Sequence, residues 1–159
     1  MKPSPEEIRA WLRAVPDPEI PHVSVVDMGM IGAIREENGK VRVDLIPTFA
    51  GCPAIKLLQE QIRSTLAQHG VEAAVEVQYE RPWRPEAVTE AGWAGLRRAG
   101  FALPKKLTAD PAELLANVAC PRCSSEEVSL MSPFGPTACR ALFYCHACQE
   151  AFELFKPPL

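Results

Sequence analysis

The apolar positions at the start of the chain recur at helical spacing and then switch to strand spacing. Ser4-Pro-Glu-Glu7 has the pattern of a capping box with proline at the first helical position. Apolar side chains then recur every three or four residues, which predicts a short amphipathic helix over residues 8–15. A β-branched run at Val23–Val26 predicts a short strand that stops at Asp27.

A hairpin and a crossover helix are predicted next. The arms Ile31–Ile34 and Val41–Pro47 flank the turn Glu37–Lys40, which contains an Asn-Gly pair. A helix beginning at Pro53 follows, and the alternating segment Ala73–Tyr79 predicts a third strand. Strand, helix and strand at this spacing predict a split β-α-β unit with its helix across one sheet face.

The remaining pattern divides the chain into three segments. We predict an α/β domain over residues 1–104, a connector over 105–116 and a small β domain over 117–159. The first domain ends with a helix at Pro85–Ala99. The predicted class is α+β: a small sandwich-like domain with helices packed on a three- to four-stranded sheet, followed by a β ribbon. The ribbon strands are predicted at Glu127–Leu130, Arg140–Tyr144 and Ala151–Phe155.

Length and charge bound the function. At 159 residues and 47% hydrophobic composition, the chain has room for one ordinary domain and a small one. The net charge is −3, so the basic footprint of a nucleic-acid-binding protein is absent. The N-terminus has no apolar signal core, and no stretch approaches the roughly 18 apolar residues of a membrane span. We therefore expect a cytoplasmic protein with reduced thiols, no membrane segment and no nucleic-acid partner.

The C-terminal segment contains two C-x-x-C pairs, Cys120-Pro-Arg-Cys123 and Cys145-His-Ala-Cys148, with 21 residues between them. Two such knuckles complete a tetrahedron of sulfurs, which predicts a structural zinc ribbon. The alternatives are disulfides, which would require export, and buried thiols. Iron in a rubredoxin-like site uses the same ligands and stays open. A closed zinc site makes the ribbon a scaffold or a docking surface rather than a catalyst.

Cys52 is the candidate reactive thiol of the first domain. Gly51 is expected to let the backbone turn tightly, and Pro53 is expected to be the first helical residue. The sulfur would then lie near a helix N-terminus, where the dipole favours thiolate. A small buried hydrophobe is the equal alternative. Asp27 either caps the Met28-Gly-Met turn or lies beside Cys52.

Two motifs resemble a known family. Asp17-Pro-Glu-Ile-Pro-His-Val-Ser-Val-Val-Asp-Met-Gly-Met30 and Thr48-Phe-Ala-Gly-Cys-Pro-Ala54 are similar to the small α/β family of iron–sulfur assembly factors, over roughly residues 5–104. The ribbon segments around Cys120, Phe134–Leu142 and Cys145–Phe152 resemble the D subunits of the bacterial phenylacetyl-CoA epoxidase system. Together the two resemblances cover nearly the whole chain.

The resemblance implies an accessory role in aerobic phenylacetate degradation. In that system a di-iron oxygenase forms the ring-1,2-epoxide, and a reductase with flavin and a [2Fe–2S] cluster supplies electrons. The D-type subunit is implied to be non-catalytic and to assist cluster or metal-centre assembly in a partner, with the cluster of the reductase as the expected target. The alternatives are a structural docking subunit without cluster handling, and an electron carrier with iron in the ribbon. A homo-oligomer is left open.

Residue roles carry over by position. Cys52 matches the motif cysteine and Asp27 the aspartate of the Asp-x-Gly turn, with Thr48, Gly51 and Pro53 as supporting motif positions. Cys120, Cys123, Cys145 and Cys148 fall on the ribbon ligands.

Two points of the carry-over are less direct. Cys139 either cooperates with Cys52 to hold a transient iron–sulfur cluster, within a chain or across a dimer, or is a ribbon core residue, which we favour. Ser124 stands where glycine is common, and this predicts slight backbone strain.

Overall fold

The computed structural model describes residues 2–102, 104–108 and 110–156, and divides the chain into two compact units, Met1–Trp83 and Arg84–Leu159. The first unit contains α1 (Pro5–Leu12), β1 (Ile31–Glu37), β2 (Lys40–Leu45), α2 (Ile55–Gln68) and β3 (Ala73–Val77). The second contains a 3₁₀ turn (Pro85–Ala87), α3 (Glu90–Arg98), α4 (Pro111–Ala116), β4 (Val128–Ser132), β5 (Arg140–Cys145) and β6 (Ala151–Phe155).

The sheet of the first unit has the order β1-β2-β3, with β1 antiparallel and β3 parallel to β2. Asn38 and Gly39 have φ of 52° and 79°, so the Asn-Gly pair forms the positive-φ turn that a two-residue hairpin needs. The crossover from β2 to β3 runs through α2, whose buried side chains face the core at Leu58, Ile62 and Leu66. The predicted α+β class is confirmed. The β-α-β unit is not split as predicted, because its two parallel strands, β2 and β3, pair directly with each other.

The capping box at the first helix forms as predicted. The Ser4 hydroxyl accepts from the Glu7 backbone N–H at 3.2 Å, and the Ser4 N–H donates to the Glu7 carboxylate at 2.7 Å. The regular helix ends at Leu12, earlier than the apolar pattern suggests. Val15 is nevertheless buried, because its N–H bonds to the Leu12 carbonyl and turns the chain back onto the core.

The predicted strand at Val23–Val26 is wrong. This segment forms consecutive turns, with a single bridge from Pro16 to Ser24. The Val25 N–H bonds to the Val15 carbonyl, and the three valines at 23, 25 and 26 are all buried. A β-branched run reports burial more than strand geometry, so a buried loop produces the same pattern.

The second unit begins earlier than the predicted boundary at residue 104. Phe101 packs against Phe155 with ring centroids 5.0 Å apart, and the Ala102 N–H donates to the Glu153 carbonyl at 2.8 Å. Residues after the predicted helix therefore belong with the ribbon strands. The hydrophobic pattern of the sequence could not predict these contacts with β6, because they join residues about fifty positions apart.

The helix predicted at Pro85–Ala99 is divided in two. A 3₁₀ turn occupies Pro85–Ala87, and α3 starts after Thr89, whose hydroxyl accepts from the Gly92 N–H at 3.1 Å. Thr89 acts as an N-cap and so resets the helix start. The β4-β5-β6 sheet is antiparallel throughout. Among the described residues, no helix is long and apolar enough to cross a membrane.

Candidate metal centre and the Cys52 loop

The first cysteine knuckle is held by its own backbone. The Cys120 N–H donates to the Ser125 carbonyl and the Cys120 carbonyl accepts from the Ser124 N–H, both at 2.9 Å. Ser124 has a φ of 62°, in the left-handed region that glycine adopts most easily. The chain therefore curls around the pair of cysteines, and the strain expected at Ser124 has a structural cause.

The second knuckle repeats the first. The Cys145 N–H donates to the Glu150 carbonyl and its carbonyl accepts from the Gln149 N–H, again at 2.9 Å. Gln149 also has a φ of 62°. Sequence reasoning identified Ser124 but missed Gln149, although both lie four residues after the first cysteine of their pair. The two knuckles therefore have equivalent backbone turns.

The four sulfurs converge across the two knuckles. The Sγ atoms of Cys120 and Cys148 are 3.7 Å apart, and those of Cys123 and Cys145 are 3.6 Å apart. All four lie within 4.8 Å of one another. Zinc–sulfur bonds of about 2.3 Å in a tetrahedron imply edges of about 3.8 Å. The quartet thus fits a tetrahedral ion and supports metal binding.

The thiols of the quartet differ in pKa. The Cys148 backbone N–H, ahead of other neighbours, lowers the pKa of the Cys145 thiol to about 7. Burial, followed by the Cys120 side chain, raises the pKa of the Cys148 thiol to about 12. Metal ligation requires thiolates, so a bound ion displaces protons from this group.

The quartet is continuous with the hydrophobic core of the second unit. Cys120 and Cys145 are buried in one cluster with Phe143 and Leu154, whereas Cys123 is exposed. A metal at this position would join both knuckles to the β-sheet core. Sulfur-only ligation leaves no open position, which indicates a structural site rather than a catalytic one.

The Cys52 loop differs in detail from its prediction. α2 begins at Ile55, and Pro53 lies in the preceding turn rather than in the helix. The Cys52 N–H bonds to the Phe49 carbonyl at 3.2 Å, and its carbonyl accepts from the Ile55 N–H at 3.4 Å. Cys52 is therefore part of a tight turn before the helix. Cys52 is partly exposed and lies three residues before the first residue of α2, rather than directly before the helix as expected.

Two supporting motif residues, Thr48 and Gly51, differ in solvent exposure. Thr48 is buried and Gly51 is exposed. Gly51 does not have a positive φ, and a Cβ there would meet only the Phe49 ring, at 3.4 Å in ordinary contact. The backbone at position 51 therefore does not require glycine, contrary to the expectation of a tight turn there.

Asp27 is held within its own turn. The Ser24 hydroxyl donates to the Asp27 carboxylate at 2.9 Å and accepts from the Asp27 N–H at 3.0 Å. Arg13 lies 3.8 Å from the same carboxylate, whose side chain is 18% exposed. These contacts support the turn-capping interpretation.

Cys139 belongs to the second unit, whereas Cys52 belongs to the first. Cys139 is 1% exposed, and its sulfur lies 3.1 Å from the Thr137 hydroxyl. Lys156, which the sequence pattern gave no reason to select, is fully buried nearby and donates to the Ala138 carbonyl at 2.9 Å. Burial lowers the pKa of Lys156. These contacts support a structural role for Cys139.

Comparisons with known proteins match two separate parts of the chain. Residues 5–78 match the family described as iron–sulfur cluster assembly protein, and residues 105–156 match the PaaD zinc beta ribbon domain. A protein of Escherichia coli (strain K12), named as the putative D subunit of 1,2-phenylacetyl-CoA epoxidase, is 36% identical over 97% of this chain and 93% of its own. A Bacillus anthracis crystal structure of a domain of unknown function, DUF59, covers 57% of this chain and 89% of its own, with 25% identity and a TM-score of 0.52.

Proposed function

Because the chain belongs to the family of 1,2-phenylacetyl-CoA epoxidase D subunits, we propose that it is a non-catalytic accessory protein of that oxygenase system. Its specific task is to assist iron–sulfur cluster or metal-centre assembly in a partner subunit. The observation that carries this proposal is the joining of an assembly-type domain, residues 5–78, to a ribbon with a four-thiolate site. The protein acts in the cytoplasm, where its thiols stay reduced.

The ribbon holds zinc as a structural ion. Cys120, Cys123, Cys145 and Cys148 supply the ligands, and the ion joins the two knuckles to the core. A closed site of four thiolates supplies no open position for substrate, so we assign it no chemical step. Its role is to hold the surface of the second unit in one shape.

The cargo is handled in the first unit. Cys52 lies in a turn without charged neighbours from Thr48 to Ile55, and it is partly exposed. Its thiolate would ligate iron of a transient cluster until a cysteine thiolate of the client replaces it. The client is the flavin and [2Fe–2S] reductase of the same system, because that component needs a cluster. Cys139 is too buried to take part without opening the ribbon.

A structural docking subunit is the second candidate. The observation that favours it is the sulfur-only, core-continuous metal site, which suits a rigid adaptor as well as an assembly factor. On this alternative Cys52 has no cargo, and the protein co-purifies with oxygenase subunits at fixed stoichiometry.

Metal and sulfide analysis distinguishes the two candidates. Zinc, iron and acid-labile sulfide are measured per chain on anaerobically purified protein, for wild type, Cys52→Ala and Cys139→Ala. The assembly role predicts zinc in all three, with iron and sulfide lost only in Cys52→Ala. Maturation of the reductase, followed through its [2Fe–2S] absorbance, should likewise decrease only with Cys52→Ala.

Equal iron and sulfide in wild type and Cys52→Ala would contradict the assembly role. Zinc alone in every sample, with undiminished reductase maturation by Cys52→Ala, would favour the docking role. Iron in place of zinc, with a reversible redox step, would contradict the structural assignment of the ribbon.

A further inference from the structure

The second unit carries a groove bordered by three arginines, none of which the proposed function uses. Two adjoining open cavities, of about 750 and 330 Å³, lie along α3 and the first knuckle. Arg97 and Pro121 border both cavities. Arg98 borders the larger cavity and Arg122 the smaller one. We call this surface the arginine groove; it is defined by Trp93, Arg97, Arg98, Pro121 and Arg122.

The charge of the arginine groove is opposite to that of the chain. The whole protein has a net charge of −3, whereas the two cavities are bordered by three arginines and by two glutamates, Glu90 and Glu150, which gives their lining a charge of 3 − 2 = +1. Arg97 and Arg98 are exposed, and no hydrogen bond or ion pair of their side chains occurs among the described residues. Arg122 pairs with Glu150 at 2.5 Å, with both side chains more than half exposed. Two arginines are therefore available to an external anion.

A purely local role does not explain the whole groove. Arginines in the last turn of a helix offset the negative end of the helix dipole, which accounts for the sign of Arg97 and Arg98. Arg122 lies on the knuckle rather than on the helix, and its local partner is Glu150 in an exposed ion pair. The helix dipole does not account for the partly buried Trp93, which lines the larger cavity beside the arginines.

The spacing of the charges selects the ligand class. Consecutive residues on a helix point about 100° apart, so Arg97 and Arg98 do not converge on one small anion. The three guanidinium groups are instead distributed along two cavities joined at Arg97. Each guanidinium can bind a carboxylate through two parallel hydrogen bonds. Separate carboxylates along an extended chain fit this distribution better than one phosphate does.

We propose that the arginine groove binds an acidic polypeptide segment of a partner protein. Glutamate or aspartate side chains pair with Arg97, Arg98 and Arg122, and an intervening apolar side chain packs on Trp93. Binding at Arg122 exchanges its surface ion pair with Glu150 for one with the partner. The inference does not depend on cluster handling by Cys52, since the groove belongs entirely to the second unit.

Fluorescence anisotropy with the full-length protein tests the groove. The probe is a short fluorescein-labelled peptide of alternating glutamate and leucine, compared with a lysine-and-leucine peptide of equal length. Wild type should bind the acidic probe and not the basic one. Arg97→Glu/Arg98→Glu should weaken binding by at least about tenfold, because the attraction becomes repulsion. Arg97→Gln/Arg98→Gln, which removes the two positive charges without adding negative ones, should give a smaller loss in the same direction.

A matched variant separates the groove from net charge. Arg63→Glu/Arg81→Glu changes the charge by the same amount at exposed positions of the first unit, and should alter binding less than about twofold. The indole N–H signal of Trp93, assigned with Trp93→Phe, should shift on adding the acidic probe to wild type. Backbone NMR spectra verify that each variant is folded.

Three outcomes would overturn the proposal. The first is that wild type fails to bind the acidic probe. The second is an equal loss of binding in the two charge-reversal variants, which would indicate net charge alone. The third is displacement of the probe by inorganic tripolyphosphate at a lower concentration than unlabelled peptide, which would assign the groove to a compact anion.

Discussion

The two units of this protein are stabilised by different means. In the first, α2 and β2 bury apolar side chains completely, as at Leu66, Val43 and Leu45. In the second, nine of the described residues form a buried core cluster, and two of these are cysteines of the metal quartet, Cys120 and Cys145. A small β domain buries too little apolar surface to be stable alone, so metal ligation supplies the stability that a larger hydrophobic core would provide. The first unit should therefore survive conditions that unfold the second.

Metal removal should have the largest effect and separate the units. Structural zinc contributes an apparent binding free energy of about 10–16 kcal/mol in zinc-finger peptides, so its loss should unfold the ribbon. A chelator titration followed by NMR should collapse the dispersed signals of β5 while those of Val43 and Leu45 persist. The same chelator preloaded with zinc is the control. Dispersed β5 signals in metal-free protein would contradict the claim that the second unit depends on metal for its stability.

A core truncation in the first unit should have the converse effect. Leu66→Ala removes a fully buried side chain and should lower the free energy of unfolding of that unit by about 2–5 kcal/mol. Leu57→Ala on the same helix, 47% exposed, should change it by less than about 0.5 kcal/mol. Urea denaturation measures both, with zinc content per chain unchanged in each. Zinc loss in Leu66→Ala would show that the units are not independent.

Removing the helix cap should have an intermediate effect. Ser4→Ala deletes the hydroxyl that accepts from the Glu7 N–H and should cost about 1 kcal/mol in the first unit. Ser64→Ala, at an exposed position inside α2, serves as its control and should be neutral or slightly stabilising. A similar loss in both variants would mean that the capping box contributes nothing specific.

The knuckle turns offer the smallest and opposite effect. Ser124→Gly relieves the left-handed backbone but loosens the unfolded chain, so a net gain of a few tenths to about 1 kcal/mol is expected for the metal-bound ribbon. Gly100→Ala, at a φ of 92° with open space around it, should lose about 1 kcal/mol. Chelator concentration at half unfolding ranks the variants. Destabilisation by Ser124→Gly would mean that the serine makes an offsetting contact.

Much of the architecture follows from short-range patterns. The capping box at Ser4, the Asn-Gly hairpin turn and the β-α-β order are local signals, and the structure has all three. The run at Val23–Val26 misled because burial without a strand partner gives the same composition. The helix start after Cys52 was misplaced because two competing turns, from Phe49 to Ile55, precede it.

The functional residues also divide into those that local sequence predicts and those that only the tertiary structure brings together. The spacing of Cys120, Cys123, Cys145 and Cys148 determined the metal quartet, because each knuckle is a local turn and sulfur chemistry specifies the rest. Only the tertiary structure decided that Lys156 is buried beside Ala138, and that Arg97 and Arg122 border one cavity. Those positions lie about 18 and 25 residues apart in the chain, and no periodic pattern links them. Local turns are encoded by adjacent residues, whereas a shared surface depends on how the packed elements bring distant residues together.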